Sequence, residues 1–153
     1  MSLGGGGGGQ QQLQQLAQEI EQIEEQIGAL EGEIEGLQAE KTAIDEAVEA
    51  IEALESGSTV QVPLGGGAYV RAEVQNIDEV IVELGADYAA EQEQGDAIDI
   101  LESKQDTLDD RIDDVRSDIA ELETESEELE QKAQQMQQQQ MQQMQQQQQQ
   151  DNE

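Results

Sequence analysis

The chain has no cysteine, histidine, tryptophan or phenylalanine, and its 153 residues include only two tyrosines and one proline. Each absence removes a class of chemistry. Without Cys or His, thiol redox centres, zinc and haem sites, and nucleophilic triads built on either residue are excluded. Without large aromatics a wide core is hard to fill. Basic residues are scarce too: 6 Lys and Arg stand against 37 Asp and Glu, a net charge of −31. Such a surface repels nucleic acid and anionic membranes, so neither is expected as a partner. No run approaches the ~20 apolar residues of a membrane span, and no signal peptide is recognisable. The lack of cysteine agrees with a reducing, cytoplasmic location. The shortage of basic partners points to a cell with molar internal salt, where the Debye length shrinks to ~3 Å.

What the chain does have is rhythm. Apolar residues spaced alternately three and four apart run Leu13, Leu16, Ile20, Ile23, Ile27, Leu30, Ile34, Leu37, then Ile44, Val48 and Ile51. A second run reads Ile98, Leu101, Leu108, Ile112, Val115, Ile119, Leu122, Leu129 and Met136. A rhythm held over several heptads returns each apolar residue to one narrow stripe, which is a coiled-coil seam. Each run predicts a helix roughly 60–65 Å long at 1.5 Å per residue. The predicted fold is α+β and mostly α: a long antiparallel two-helix coiled coil with two β-hairpins inserted between the arms. Residues 1–9 read as a flexible Gly-rich leader, 10–55 as helix one, 56–91 as the β insert, 92–136 as helix two, and 137–153 as a Gln/Met-rich tail expected to fray. In helix one the only seam position without an apolar residue is Lys41, which antiparallel pairing brings level with Asp109 and Asp110. Gln105 and Ser126 are polar seam positions in helix two. Gly28, Gly32 and Gly36 fall off the seam, each weakening an exposed helix by about 1 kcal/mol relative to Ala.

Between the arms the period changes to two. Val60, Val62 and Leu64 alternate, then Val70, Ala72 and Val74, then Val80, Val82 and Leu84. Each run offers one apolar face, the sign of half-buried strands. Pro63 with Gly65-Gly66-Gly67, then Gln75-Asn76-Ile77-Asp78 and Gly85-Ala86, punctuate them as hairpin or meander turns. Isolated hairpins are marginal and leave unpaired edges, so these strands need other strands. The insert is expected to be an assembly platform carried by Val60, Val62, Leu64, Val70, Val74, Val80, Val82 and Leu84.

Two catalytic or ligand motifs fail. The Gly65-Gly66-Gly67 run leads into another strand, with no Gly-Lys-Ser/Thr and no helix N-terminus to cradle a phosphate. The acidic stretch from Asp106 to Asp118 lacks the Gly and terminal Glu spacing of a calcium loop and carries seam residues instead. No cofactor, metal or catalytic residue is expected. One further pattern stands out: residues 1–18 and 133–150 carry no charged side chain. An antiparallel hairpin brings these segments to one end, with Leu13, Leu16 and Ile20 facing Leu129, Met136, Met141 and Met144. Flexible, polarizable Met suits promiscuous apolar contact, so this end is expected to be a soft contact tip.

The stretches Val62-Pro63-Leu64-Gly65-Gly66-Gly67-Ala68-Tyr69-Val70 and Val80-Ile81-Val82-Glu83-Leu84-Gly85-Ala86-Asp87-Tyr88-Ala89-Ala90-Glu91, set between equal coiled-coil arms, resemble the α subunits of archaeal prefoldin. The resemblance covers about residues 10–136. It implies a hexamer of two α with four β subunits, whose hairpins join into a β-barrel from which six coiled coils hang. It also implies an ATP-independent co-chaperone that holds non-native proteins at the tips and passes them to a group II chaperonin. The Gly leader and Gln/Met tail depart from the family pattern. A passive coiled-coil scaffold is the alternative, separated by whether the chain with a β-type partner suppresses aggregation of an unfolding protein.

The charge pattern yields a test. Glu19, Glu24, Glu31, Glu33, Glu40, Asp45 and Glu52 flank the seam of helix one, and helix two answers with only Lys104, Arg111, Arg116 and Lys132. Flanking contacts are therefore mostly repulsive or neutral. Helicity and thermal midpoint should rise steeply between ~0.1 M and ~1 M KCl as the screening length falls from ~10 Å to ~3 Å. Circular-dichroism melts check this, and a flat midpoint over that range contradicts the halophilic reading.

Overall fold

The computed structural model of the chain describes residues 4–151. Its elements are α1 (Gly4–Ala53), β1 (Thr59–Gly65), β2 (Ala68–Glu73), β3 (Val80–Gly85), β4 (Tyr88–Gln92) and α2 (Gln94–Asp151). The chain divides into two compact units, one holding the chain up to Glu35 and from Asp113 onward, the other Gly36–Ile112.

In the first unit the helices are antiparallel partners. Leu16 shares a cleft with Leu129 and Met136. The Gln140 side chain occupies the space a Cβ on Gly9 would need. Burial follows the three-four rhythm: Leu16, Ile23, Val115 and Ser126 are buried, while Leu13, Ile20, Ile27, Leu30 and Ile34 are half-buried. In α2 the rhythm continues through Leu129, Ala133 and Met136 to Gln140.

Two expected boundaries move. Helix α1 begins at Gly4, inside the segment expected to be a flexible leader, while Met1–Leu3 lie outside the described residues. Glycine is a poor helix former, but Gly9 falls on the seam, and its missing Cβ admits Gln140. Helix α2 continues to Asp151 instead of fraying after Met136. Gln ranks among the better helix formers, and the tail contains no Gly, Pro or β-branched residue to interrupt it.

In the second unit the seam carries a polar layer. Lys41 pairs with Asp109, as the antiparallel register requires. Gln105 Nε2 donates to the Lys41 carbonyl at 3.1 Å and also to the Asp45 carboxylate. The ion pair is well exposed, so it contributes at most about 1 kcal/mol, and its value lies in fixing register.

The β insert forms two separate antiparallel hairpins, β1 with β2 and β3 with β4. Val60 faces Ala72 and Val62 faces Val70 in the first; Val80 faces Gln92 and Val82 faces Ala90 in the second. Both hairpins are built alike. The pattern V-x-V-x-L-G occurs at Val60 and again at Val80, and each copy bulges at its Leu, Leu64 or Leu84. Each closes on a two-residue loop with positive φ at both residues: Gly66 and Gly67 in one, Ala86 and Asp87 in the other. Such loops match the strand twist, and glycine tolerates them freely whereas Ala86 does not.

The two hairpins differ in burial. Every residue of β2 is exposed, and in β1 only Val60 is half-buried. Val82 of β3, by contrast, is 5% exposed and already covered by its own chain. Val82 was expected on the assembly face; the structure places it inside the subunit instead. Val62→Asp should therefore change the stability of the isolated chain by no more than about 1 kcal/mol. Val82→Asp should cost about 3–5 kcal/mol, because it leaves a buried carboxylate unpaired. Urea melts at molar KCl compare the two, and equal destabilisation contradicts this difference between the hairpins.

Candidate interaction surfaces

A set of hydrogen bonds joins the hairpins to the helices of the second unit. The carbonyls at the end of α1 lack helical N–H donors, and Gln94 Nε2 supplies one, donating to Ile51 O at 2.6 Å and Leu54 O at 3.4 Å. The Gln94 backbone N–H, at the start of α2, donates to Asp78 Oδ1 at 3.4 Å. A carboxylate there also favours the positive end of the helix dipole. Asp78 is itself held by a turn in which its N–H donates to Asn76 Oδ1. Ile77 N–H donates to Ser56 Oγ, and Gly57 and Ser58 extend the first hairpin's ladder to Val74. Helix ends, hairpin roots and connecting turn thus form one polar junction.

The junction holds out an apolar surface. Val62, Leu64, Tyr69 and Val70 of the first hairpin are 40%, 67%, 61% and 47% exposed. Ile81, Leu84 and Tyr88 are exposed on the second. Val60, Val74 and Val80 are half-buried. Leu84 also lines an open groove of about 720 Å³ with Ala43, Ile44, Ala47, Ile100 and Leu101. Sequence reasoning missed Tyr69, Ile81 and Tyr88. The signal was available, since the only two aromatic residues of the chain lie in these strands.

The second surface lies in the first unit. Leu16 is buried in the seam, and Leu13, Ile20, Leu129 and Met136 are half-buried there. Met141 and Met144, outside the seam rhythm, are 63% and 67% exposed. They stand three residues apart and therefore neighbour each other on α2. The stretch 133–150 is free of charge, so the two thioethers are surrounded by neutral Gln. Among the described residues no cluster of acidic side chains is disposed to hold a metal ion, and no helix is long and apolar enough to cross a membrane.

Comparison with known proteins matches residues 9–139 to the prefoldin subunit family. The prefoldin alpha subunit of Haloarcula marismortui is 66% identical over 116 residues, covering 76% of this chain and 75% of that one. That of Halorubrum lacusprofundi is 65% identical over 105 residues, covering 69% of each. Both relatives come from halophilic archaea, in agreement with the charge pattern. Among solved structures, filamentous PFD from Methanocaldococcus jannaschii, seen by cryo-EM, is 28% identical with a TM-score of 0.52, covering 78% of this chain and 95% of that one. The prefoldin beta subunit of Thermococcus strain KS-1, at 19% identity and a TM-score of 0.53 over 80% of this chain and 90% of that one, shares the fold. The chain belongs to the prefoldin subunit family, on its alpha-subunit branch.

Proposed function

We propose that the chain is the alpha subunit of an ATP-independent cytoplasmic co-chaperone that assembles through its hairpins and holds unfolded proteins at the uncharged ends of its helices. The observation that carries this reading is the first hairpin, on which Val62, Leu64, Tyr69 and Val70 remain exposed. A two-stranded ribbon with an uncovered apolar face and open edges is marginal in water, and partner strands satisfy both deficits. The sequence resemblance supplies the partners: four beta subunits to two alpha, closing a β-barrel, with a group II chaperonin receiving the client. Client contact is assigned to Met141 and Met144, with Met136, Leu13, Leu16, Ile20 and Leu129 beneath them as the seam that presents them. Thioethers on a neutral, flexible-side-chain surface accept varied apolar segments without demanding one shape. Elsewhere the dense negative charge on the outer faces of the helices disfavours contacts outside the seam.

Two experiments test the two halves of this reading. Mixing the chain with a beta-type prefoldin subunit at molar KCl should give one hetero-oligomer of hexamer size by native mass spectrometry. Val62→Asp should abolish it while leaving far-UV helicity unchanged; a full-size complex from that variant contradicts assembly through the first hairpin. Changing Met136, Met141 and Met144 together to Gln should spare the complex but weaken suppression of aggregation of an unfolding protein. Each buried Met contributes up to ~1.5–3 kcal/mol, so a loss of tenfold or more is expected. Assembly with no suppression of aggregation by the unaltered complex instead supports the passive scaffold.

A further inference from the structure

We propose that Met141 and Met144 form an oxidation-sensitive switch that lowers client holding when peroxide converts their thioethers to sulfoxides. The inference rests on the client role assigned to these residues above. Three observations carry it. The chain has four Met and no Cys, so no thiol competes for oxidant. Three of the four Met, at 136, 141 and 144, fall within nine residues of one helix. Two of these are exposed, whereas Met136 is half-buried against Leu16 and Leu129. Sulfoxide formation follows sulfur accessibility, which orders the sites: Met141 and Met144 react before Met136.

The chemistry balances with hydrogen peroxide as oxidant. The thioether sulfur attacks one peroxide oxygen, the O–O bond breaks, an S=O bond forms, and water leaves. Sulfur is oxidised by two electrons and peroxide is reduced by two. The product is polar and accepts hydrogen bonds, so the only exposed apolar groups in an otherwise Gln-lined stretch become as hydrophilic as their neighbours. The helix has no reason to unfold, because neither side chain lies in the seam. Methionine sulfoxide reductases, drawing two electrons from a dithiol, restore the thioether, which makes the change reversible.

The test uses the complex with the beta-type subunit at molar KCl, treated with graded hydrogen peroxide. Peptide mass mapping should show one added oxygen at Met141 and at Met144 before Met136. Over the same range about tenfold more complex should be needed to suppress aggregation, a loss of roughly one apolar side chain's burial. Far-UV helicity and complex size should stay constant. Reductases for both sulfoxide epimers, with dithiothreitol, should restore holding, and in the triple variant Met136→Leu, Met141→Leu and Met144→Leu peroxide should cause no loss relative to that variant's own untreated level, whatever that level is. Undiminished holding with Met141 and Met144 both converted overturns the switch, as does an equal loss in the Leu variant. Failure of the untreated complex to hold clients removes the proposed function and the switch with it, so the two failures are distinguishable.

Discussion

The uncovered face of the first hairpin is the constraint on which the rest of the molecule depends. Strands β1 and β2 satisfy each other's inner hydrogen bonds and set Val62 across from Val70, but their outer edges are open and Val62, Leu64, Tyr69 and Val70 remain exposed. The second hairpin repeats the same pattern twenty residues later with a different outcome. Its Val82 is buried by the subunit, and its Leu84 lines a groove with residues from both helices. One hairpin is thus anchored and its twin is free. This division suits a subunit that must fold enough to be specific while keeping a surface for its neighbours. The Gln94, Asp78 and Ser56 hydrogen bonds hold the hairpin roots to the helix ends, so the free face is presented from a defined base.

The helices meet a different constraint: a seam only one residue wide beneath a strongly negative surface. Few basic residues are available to neutralise it, so the register is set by apolar spacing and by one polar layer. Lys41 reaches Asp109, and Gln105 bonds to the Lys41 carbonyl one layer away. A slipped register would separate both interactions and strand Lys41 against apolar neighbours, so the layer contributes specificity more than stability. Against the same negative surface the uncharged stretch 133–150 is distinct, since its apolar atoms stand among neutral side chains.

Much of this was legible from residue spacing. The three-four rhythm named the seam residues and the level of Lys41 with Asp109, because a helical stripe of fixed width admits no other reading. The period of two named the strands. The course of the Gly and Gln segments was not legible, because both compositions are uninformative about packing. Gly9 is explained only once Gln140 is seen beside it, and the Gln tail has helix propensity without a hydrophobic period. The burial of Val82 was hidden for another reason. Alternation says that a strand has two faces, not which one its own chain covers. The twenty-residue repeat identifies Val62 and Val82 as equivalent positions, and only tertiary structure separates them.

Amide hydrogen exchange, read by mass spectrometry on the chain alone and in complex with a beta-type prefoldin subunit, tests the central claim most directly. Alone at molar KCl, peptides covering Thr59–Glu73 should exchange faster than those covering Val80–Gln92, since only the second hairpin is anchored. In the complex, both should become protected, the first by the larger factor, while peptides from 133–150 should not change. Protection confined to the helices, with Thr59–Glu73 exchanging as fast in the complex as alone, would contradict assembly through the hairpins.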